Sequence, residues 1–79
     1  MYIVYILRSK SKPFQYVGMT NNLERRLNEH NSGYSTTTKK YLPLELIYKE
    51  NQPDRISARN REKYFKSGSG REFIKMLNL

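Results

Sequence analysis

The segment at residues 2–7 constrains the fold more than any other, because every one of its side chains is aliphatic or aromatic. Successive side chains of a β-strand point to opposite faces of the sheet, so both faces of this segment are apolar. One face carries Ile3, Tyr5 and Leu7, and the other carries Tyr2, Val4 and Ile6. A strand with two apolar faces is suited to burial on both sides. The sequence therefore predicts a central strand of a small sheet.

The length of 79 residues allows one small domain, and we interpret residues 1–79 as a single unit. The sequence has no cysteine and one histidine, which excludes disulfides, iron–sulfur clusters, thiol chemistry and a structural zinc site. No apolar run approaches the roughly 20 residues that cross a bilayer, and no secretory signal is visible. We expect a cytoplasmic protein without a membrane partner.

The charge balance points to a polyanionic partner. Fifteen Lys and Arg residues face seven Asp and Glu residues, which gives a formal net charge of +8. Nucleic acid is the commonest partner of such a chain, and anionic membranes or acidic proteins are the alternatives. Seven Tyr and three Phe residues argue against a disordered basic tail.

Turn and cap residues divide the first half of the chain into short elements. Residues 9–13 have turn composition, and residues 14–19 resume an extended pattern, which predicts an antiparallel hairpin. Asn21 and Glu24 have the spacing of a capping box, and they predict a helix that ends near Asn31.

The second half predicts one strand and two helices. Residues 34–41 are polar and suit a short irregular helix, and a third strand follows near residues 42–50, with Pro43 at an edge or strand start. Pro53 and Asp54 begin a helix, with Pro53 in its first turn, that runs to about residue 67, and residues 67–70 must break it before a short terminal helix. The predicted fold is α+β, a small three-stranded antiparallel sheet flanked by helices in the order β-β-α-(α)-β-α-α.

Two side chains of the first predicted helix are candidates for chemistry. Arg26 and His30 lie four residues apart, beside the apolar stripe of Leu23 and Leu27. They could place a guanidinium and an imidazole near a reacting group. Alternatively, Arg26 only extends its stem along the core and His30 caps the end of the helix.

Glu62 is the candidate carboxylate of the later helix. It lies between Ala58 and Phe65, on the face expected to pack inward, and its surroundings are strongly basic. It could form an ordinary salt bridge with Arg59 or Lys66. Alternatively, a carboxylate beside a sheet of tyrosines suits a hard divalent cation such as Mg²⁺.

Tyr5 and Tyr16 occupy the middle of their strands. With a turn near residues 10–12 they lie close together on one sheet face, and Gly18 leaves open backbone beside them for a ligand. The alternative is that both tyrosines are ordinary core residues with a solvated hydroxyl.

Together these residues resemble the GIY-YIG nuclease family. The two motifs correspond to Ile3-Val4-Tyr5 and Tyr16-Val17-Gly18, and residues 20–31 are similar to the family's first helix, with its arginine and histidine. The resemblance covers nearly the whole chain. It is greatest for small standalone members, similar to the N-terminal module of the excision-repair incision subunit.

This resemblance implies a metal-dependent endonuclease that hydrolyses phosphodiester bonds in DNA, with structure-directed or low sequence specificity. Tyr5 and Tyr16 would activate water, Arg26 would stabilise the phosphate, and Glu62 would hold Mg²⁺ or Mn²⁺. His30 would bind phosphate, relay a proton or only position its neighbours. A tyrosine base requires that the nearby metal and arginine bring its pKa below the usual value of about 10, and either tyrosine could be that base.

Two departures from the family pattern bear on this expectation. Ile3 replaces the glycine of the first motif, and Asn78 is the only candidate for the asparagine that follows the glutamate. We expect nucleic acid, DNA more than RNA, to contact Gly18, Lys39, Lys40, Arg59 and Arg61, and a protein partner to supply targeting. The alternatives are a non-catalytic basic nucleic-acid-binding module on the same fold and an assembly factor with a tyrosine-rich face.

Overall fold

The computed structural model describes residues 1–77 and confirms the predicted α+β class and element order. The strands are β1 (Tyr2–Ser9), β2 (Gln15–Thr20) and β3 (Leu44–Gln52). The helices are α1 (Leu23–Asn31), α2 (Arg55–Lys66) and α3 (Gly68–Leu77), and a 3-10 helix (Lys39–Tyr41) precedes β3. Asn78 lies outside the described residues.

β1 is the central strand of a sheet with the order β2-β1-β3, as its two apolar faces predict. It pairs antiparallel with both neighbours. Val4 and Ile6 pack against Phe65 and Ile74 of α2 and α3. Tyr5, Leu7 and Leu44 form a second core on the opposite face with the following side chains: Phe14, Tyr16, Leu23, Leu27, Tyr41 and Leu42. The sheet thus separates two small cores, and both depend on β1.

β2 and β3 form the two edges of the sheet. β3 begins one residue after Pro43, which confirms the predicted place of this proline at a strand start on an edge. Proline has no N–H to donate to a ladder, so this position costs no strand hydrogen bond.

Both α1 and α2 begin slightly later than the sequence predicts. Asn22, and not Asn21, caps α1, because its side chain accepts the N–H of Arg25 at 3.1 Å. The Thr20 hydroxyl accepts the Asn22 N–H at 3.1 Å, which keeps the chain extended to that point. Asp54 caps α2 by accepting the N–H of Ser57 at 2.8 Å, so Pro53 precedes the cap and is not in the first turn.

The predicted break at residues 67–70 is wrong in extent, because a single residue separates α2 from α3. Ser67 has an extended backbone, and its hydroxyl donates to the Tyr64 carbonyl at 2.5 Å and accepts the Gly70 N–H at 3.3 Å. One serine therefore ends one helix and stabilises the start of the next. Gly68 and Gly70 lie inside α3, and Gly70 is the position at which α3 approaches the backbone of α2 closely.

No helix among residues 1–77 combines the length and the apolar character needed to cross a bilayer.

Gly70 and Gly68 offer a matched pair of substitutions in the first turn of α3. A Cβ at Gly70 would lie 2.0 Å from the Tyr64 carbonyl oxygen and 2.4 Å from the Phe65 Cα, whereas a Cβ at Gly68 meets nothing within 4 Å. We expect Gly70→Ala to lower the free energy of unfolding by about 1–3 kcal/mol, because backbone must move. We expect Gly68→Ala to be neutral or to raise it by up to about 1 kcal/mol. Urea unfolding measures both, and equal effects would contradict the close packing of α2 on α3.

Candidate functional site

A cleft of about 460 Å³ opens between α1 and α2, at the end of the hairpin where β1 starts and β2 finishes. Four arginines and two glutamates line it, together with strand residues such as Tyr2 and Thr20. The charged set is Arg25, Arg26 and Glu29 of α1 and Arg55, Arg59 and Glu62 of α2. The cleft is therefore positively charged and contains carboxylates at two places.

Tyr5 lies behind this cleft, under the backbone of β2. It pairs with Gly18 in the antiparallel register, and a Cβ on Gly18 would lie 2.6 Å from the Tyr5 hydroxyl oxygen. Only glycine lets the tyrosine ring lie across the neighbouring strand at this point. Tyr16 is two residues away along β2, and the two tyrosine ring centroids are 6.2 Å apart. The structure thus brings the predicted tyrosine pair and Gly18 together.

A buried chain of hydrogen bonds continues from Tyr5 to His30 and Thr38. The Tyr5 hydroxyl lies 3.2 Å from His30 Nε2, and His30 Nδ1 lies 2.9 Å from Thr38 Oγ1. His30 and Thr38 are both 0% exposed, and Tyr5 is 1% exposed. His30 therefore does not cap α1 with its side chain. Both of its ring nitrogens are committed to partners in the core.

The Arg26 guanidinium is the cation that bears on how protons can be arranged along these hydrogen bonds. It interacts with the hydroxyls of Tyr5 and Tyr16, and it can only donate hydrogen bonds. If Arg26 donates to the Tyr5 oxygen, the phenol proton remains for His30 Nε2. His30 then carries its own proton on Nδ1 and donates it to Thr38. This arrangement satisfies each of the four groups while His30 stays neutral.

Burial is the main cause of the shifted pKa values of Tyr5 and His30, the two titratable groups that this series of hydrogen bonds joins. It raises the pKa of Tyr5 to about 12, and the nearby Tyr16 adds to this effect while Arg26 opposes it. Arg26 alone therefore does not bring the pKa of the Tyr5 phenol below its ordinary value, and the part of the expectation that rests on a bound metal stays a prediction. Burial also lowers the pKa of His30, and the positive charge of Arg26 lowers it further.

Arg26 is held in place by the carboxylate of Glu29. Its Nη1 donates to Glu29 Oε1 at 3.0 Å, and this hydrogen bond raises the pKa of Arg26 above its ordinary value. The Arg26 side chain remains 31% exposed and lines the cleft. It does more than extend its stem along the core, because its charged end lies between the tyrosine hydroxyls and the cleft.

Glu62 reaches the same cleft from α2. Its carboxylate oxygens lie 3.4 Å from Arg59 Nε and 3.4 Å from Lys66 Nζ, so both salt bridges considered from the sequence are present. The Glu62 side chain is 18% exposed, and its charge contributes to the raised pKa of Tyr5. The structure thus places Glu62 within electrostatic reach of Tyr5.

The donors of the cleft suit a hydrated hard cation. Within residues 1–77 no group of three or more His, Asp or Glu side chains could enclose a metal ion. Mg²⁺ commonly keeps several waters and binds through one or two carboxylates together with substrate phosphate. Glu62 is a carboxylate of this kind, held in an accessible position by two long ion pairs. The residues present therefore fit Mg²⁺ or Mn²⁺ but not a closed protein cage.

The remaining predicted contact residues occupy different places. Arg59 lines the cleft and pairs with Glu62. Arg61 binds Glu50 of β3 through two hydrogen bonds of 2.6 and 3.0 Å. Lys39 and Lys40 lie in the 3-10 helix, whose Tyr41 carbonyl accepts the hydroxyl of Ser9 at the far end of β1. These two lysines are thus at the opposite end of β1 from the cleft.

Sequence reasoning missed four residues of the site. Thr38 fixes His30, and Arg25, Glu29 and Arg55 contribute charge to the cleft. Arg55 lies four residues before Arg59, so helical spacing could have identified it. Thr38 follows His30 by eight residues in an irregular segment, and no periodicity marks it.

The chain belongs to the GIY-YIG family, since the model of the GIY-YIG catalytic domain matches residues 1–75. It is similar to small proteins of the group called UPF0213. One from Clostridium perfringens is 34% identical over 79 residues, which cover 99% of this chain and 84% of the relative. Another from Limosilactobacillus reuteri is 37% identical over 79 residues, covering 96% and 81%.

A solved structure shows the same architecture. The solution NMR structure of a UPF0213 protein from Bacillus halodurans superimposes with a TM-score of 0.57 at 30% sequence identity, covering 98% of this chain and 85% of that one. The predicted family is therefore confirmed. The names of these relatives state no activity.

The acid titration of His30 tests whether the neutral imidazole is buried in the series of hydrogen bonds from Tyr5 to Thr38. A lowered folded pKa means that the unfolded chain binds the proton first, so stability is present above the ordinary pKa of 6.5 and is lost as pH falls below it. We expect the free energy of unfolding to decrease from about pH 6.5 towards pH 5, before most carboxylates titrate. Urea unfolding measures this decrease. The imidazole NMR signals of the only histidine report its pKa directly, and a pKa at or above 6.5 would contradict the burial of a neutral ring.

Thr38 provides the matched variants for the proton arrangement. In Thr38→Val the Nδ1 proton of His30 loses its acceptor, whereas Thr38→Ser keeps a hydroxyl. We expect the ¹⁵N shifts of His30 to show the Nδ1–H tautomer in the native chain and in Thr38→Ser, and a mixture in Thr38→Val. The Nε2–H tautomer in the native chain would contradict the assignment.

Proposed function

We propose that this chain is a metal-dependent endonuclease that hydrolyses phosphodiester bonds in DNA with little sequence preference. The main support is that α1 and α2 bring Arg26 and Glu62 into one basic cleft, and that Arg26 also interacts with the Tyr5 hydroxyl that bonds to His30. Membership of the GIY-YIG family supports the same class of reaction. Phosphodiester hydrolysis needs an activated water, a proton acceptor and positive charge where the phosphorane becomes negative.

Arg26 is the proposed phosphate ligand. Its fork of N–H donors matches the geometry of phosphate oxygens, and Glu29 holds the guanidinium in place. Arg25, Arg55 and Arg59 surround the same opening and add to its attraction for a polyanion. A phosphate bound by Arg26 would lie next to the tyrosine hydroxyls, because this guanidinium already interacts with both of them.

Tyr5 and Tyr16 are the proposed groups that activate water. Tyr5 is a neutral phenol at physiological pH, because burial raises its pKa to about 12. It can act as a base by giving its own proton to His30 Nε2 as it accepts one from water, so the two transfers are coupled. Tyr16 is the more exposed of the two hydroxyls and is the second candidate for the base.

Glu62 is the proposed ligand of Mg²⁺ or Mn²⁺. Such an ion supplies Lewis-acid stabilisation of phosphate oxygens that become more negative during hydrolysis. Glu62 would exchange its ion pairs with Arg59 and Lys66 for the metal, and these long contacts of 3.4 Å are easily replaced. Both cations would then remain beside the phosphates of the substrate.

A second function rests on the same ion pairs. With both carboxylate oxygens of Glu62 facing cations and no cluster of three metal-ligating groups in residues 1–77, the chain could bind nucleic acid without cutting it. Binding would then be metal-independent and steeply dependent on salt. The two functions differ in their response to substitution of Glu62.

Substitution of the cleft residues tests the catalytic proposal. We expect Glu62→Gln and Arg26→Lys each to lower the rate of Mn²⁺-dependent nicking of plasmid DNA by about 100-fold or more, because the first removes the carboxylate charge that holds the metal and the second removes the guanidinium fork that holds the phosphate. The control is Glu72→Gln, since Glu72 lies on α3 with a side chain that is 73% exposed, and it should cut at the native rate.

Comparison of the two tyrosines assigns the base. If Tyr5 and His30 form the relay, Tyr5→Phe lowers the rate by at least 100-fold, and Tyr16→Phe has a smaller effect. Equal nicking by the native chain, Glu62→Gln and Arg26→Lys would refute the nuclease proposal and attribute the activity to a contaminant. Metal-independent DNA binding without cutting would favour the second function.

A further inference from the structure

Two loops that are distant in the sequence form one rigid surface at the far end of β1 from the cleft. The hydroxyl of Ser9 donates to the Tyr41 carbonyl at 2.6 Å, and that of Ser11 donates to the Leu42 carbonyl at 3.1 Å. The Lys10 N–H donates to the Pro43 carbonyl at 2.9 Å. These bonds join the β1–β2 turn to the segment that precedes β3.

An aromatic stack strengthens this junction. The rings of Phe14 and Tyr41 are parallel within 3°, with centroids 3.7 Å apart. Lys12 Nζ and Lys40 Nζ lie 5.8 and 5.4 Å from the Tyr41 ring centroid, so both ammonium groups are drawn to the same ring. The junction therefore holds the two lysines near each other despite their repulsion.

We call this surface the lysine platform, and it consists of Lys10, Lys12, Lys39 and Lys40 around the Phe14–Tyr41 stack. All four lysines are exposed. Within residues 1–77 none of them lies within 4.0 Å of a carboxylate, although many other cations of the chain are paired. A concentration of unpaired positive charge on a rigid support is suited to a polyanion.

The chemistry of the platform favours phosphate over bases. Single strands are held mainly by bases that stack on free aromatic faces. Here Phe14 and Tyr41 each cover one face of the other, and Lys12 and Lys40 lie near the Tyr41 ring. Ammonium groups on flexible stems bind phosphates as point charges and without reading sequence.

The distance between the platform and the cleft predicts how far apart two phosphates must be to contact both. β1 has eight residues and runs from the cleft at Tyr2 to the platform at Ser9. The reacting phosphate is placed beside Tyr5, four residues before Ser9, and at about 3.4 Å per residue this is roughly 14 Å, the rise of about four base pairs of DNA. We infer that the lysine platform binds the phosphate backbone of the same duplex that enters the cleft, about four base pairs from the reacting phosphate.

This inference rests on the proposed function, and it adds a minimum substrate length. A duplex of about six base pairs centred on the reacting phosphate ends short of the platform, whereas one of about 20 base pairs can contact both. The contact contributes binding and not sequence recognition. It therefore gives a duplex endonuclease a preference for long DNA over short DNA.

Salt-dependent binding tests the inference without any cleavage. Binding of the two duplexes is measured by fluorescence anisotropy over a range of salt concentrations, with a chelator present so that nothing is cut. We expect the double variant Lys12→Ala/Lys40→Ala to reduce the slope of log K against log salt by about two for the long duplex and by nearly nothing for the short one. The variant Lys12→Arg/Lys40→Arg should retain the native slope.

The matched control removes two lysines outside the platform that, like the platform lysines, have no carboxylate within 4.0 Å among residues 1–77. Lys49→Ala/Lys63→Ala causes the same change of net charge, and both residues are exposed. Equal slopes for the platform and control variants, or an equal loss on the short duplex, would overturn the inference. Loss of binding to anionic lipid vesicles with unchanged binding to long duplex would also overturn it, in favour of a membrane surface.

The platform inference and the nuclease proposal can fail independently, and the binding and cutting experiments distinguish the two failures. If the native chain cuts no DNA but the platform variant loses affinity for the long duplex alone, the nuclease proposal fails and the platform contact stands. If the chain cuts long and short duplexes equally and the platform variant binds both like the native chain, the platform inference fails and the nuclease proposal stands.

Discussion

The buried chain of hydrogen bonds from Tyr5 through His30 to Thr38 is the constraint on which the rest of the structure depends. A phenol and an imidazole that are removed from water must find partners, since an unsatisfied buried polar group costs about 1–3 kcal/mol. Here they satisfy each other and Thr38, at distances of 3.2 and 2.9 Å. The chain joins β1 to the end of α1 and to the segment that follows it. It thereby fixes the helix whose Arg26 faces the cleft.

The site exists because the sheet is narrow. With only three strands, the edge strand β2 lies directly beside the central strand, and Gly18 leaves a gap through which Tyr5 lies close to both helices. α1 packs on one face of the sheet and α2 on the other, so Arg26 and Glu62 can meet only past this edge. A larger side chain at residue 18 would displace the ring and close the gap. The glycine of the second motif is thus required by packing as well as by access.

The sequence is sufficient to predict the architecture and about half of the candidate site. Two apolar faces on residues 2–7 require a central strand, and strand alternation places Tyr5 and Tyr16 together, because these signals depend on near neighbours in the chain. The capping of α1 by Asn22 depends on the Thr20 hydroxyl, and the short break at Ser67 depends on bonds to both helices. Thr38 and the direction of the Tyr5 pKa shift depend on three-dimensional burial, which no local pattern encodes.

The central claim is that Arg26 and Glu62 act on the same substrate phosphate. A crystal structure of the chain with Mn²⁺ and an uncleavable DNA duplex tests this claim most directly. Anomalous scattering identifies the manganese without ambiguity. We expect one ion bound to the Glu62 carboxylate, and a backbone phosphate that contacts both this ion and the Arg26 guanidinium. Manganese bound elsewhere, with Glu62 still paired to Arg59 and Lys66 and the DNA outside the cleft, would contradict the proposed active site.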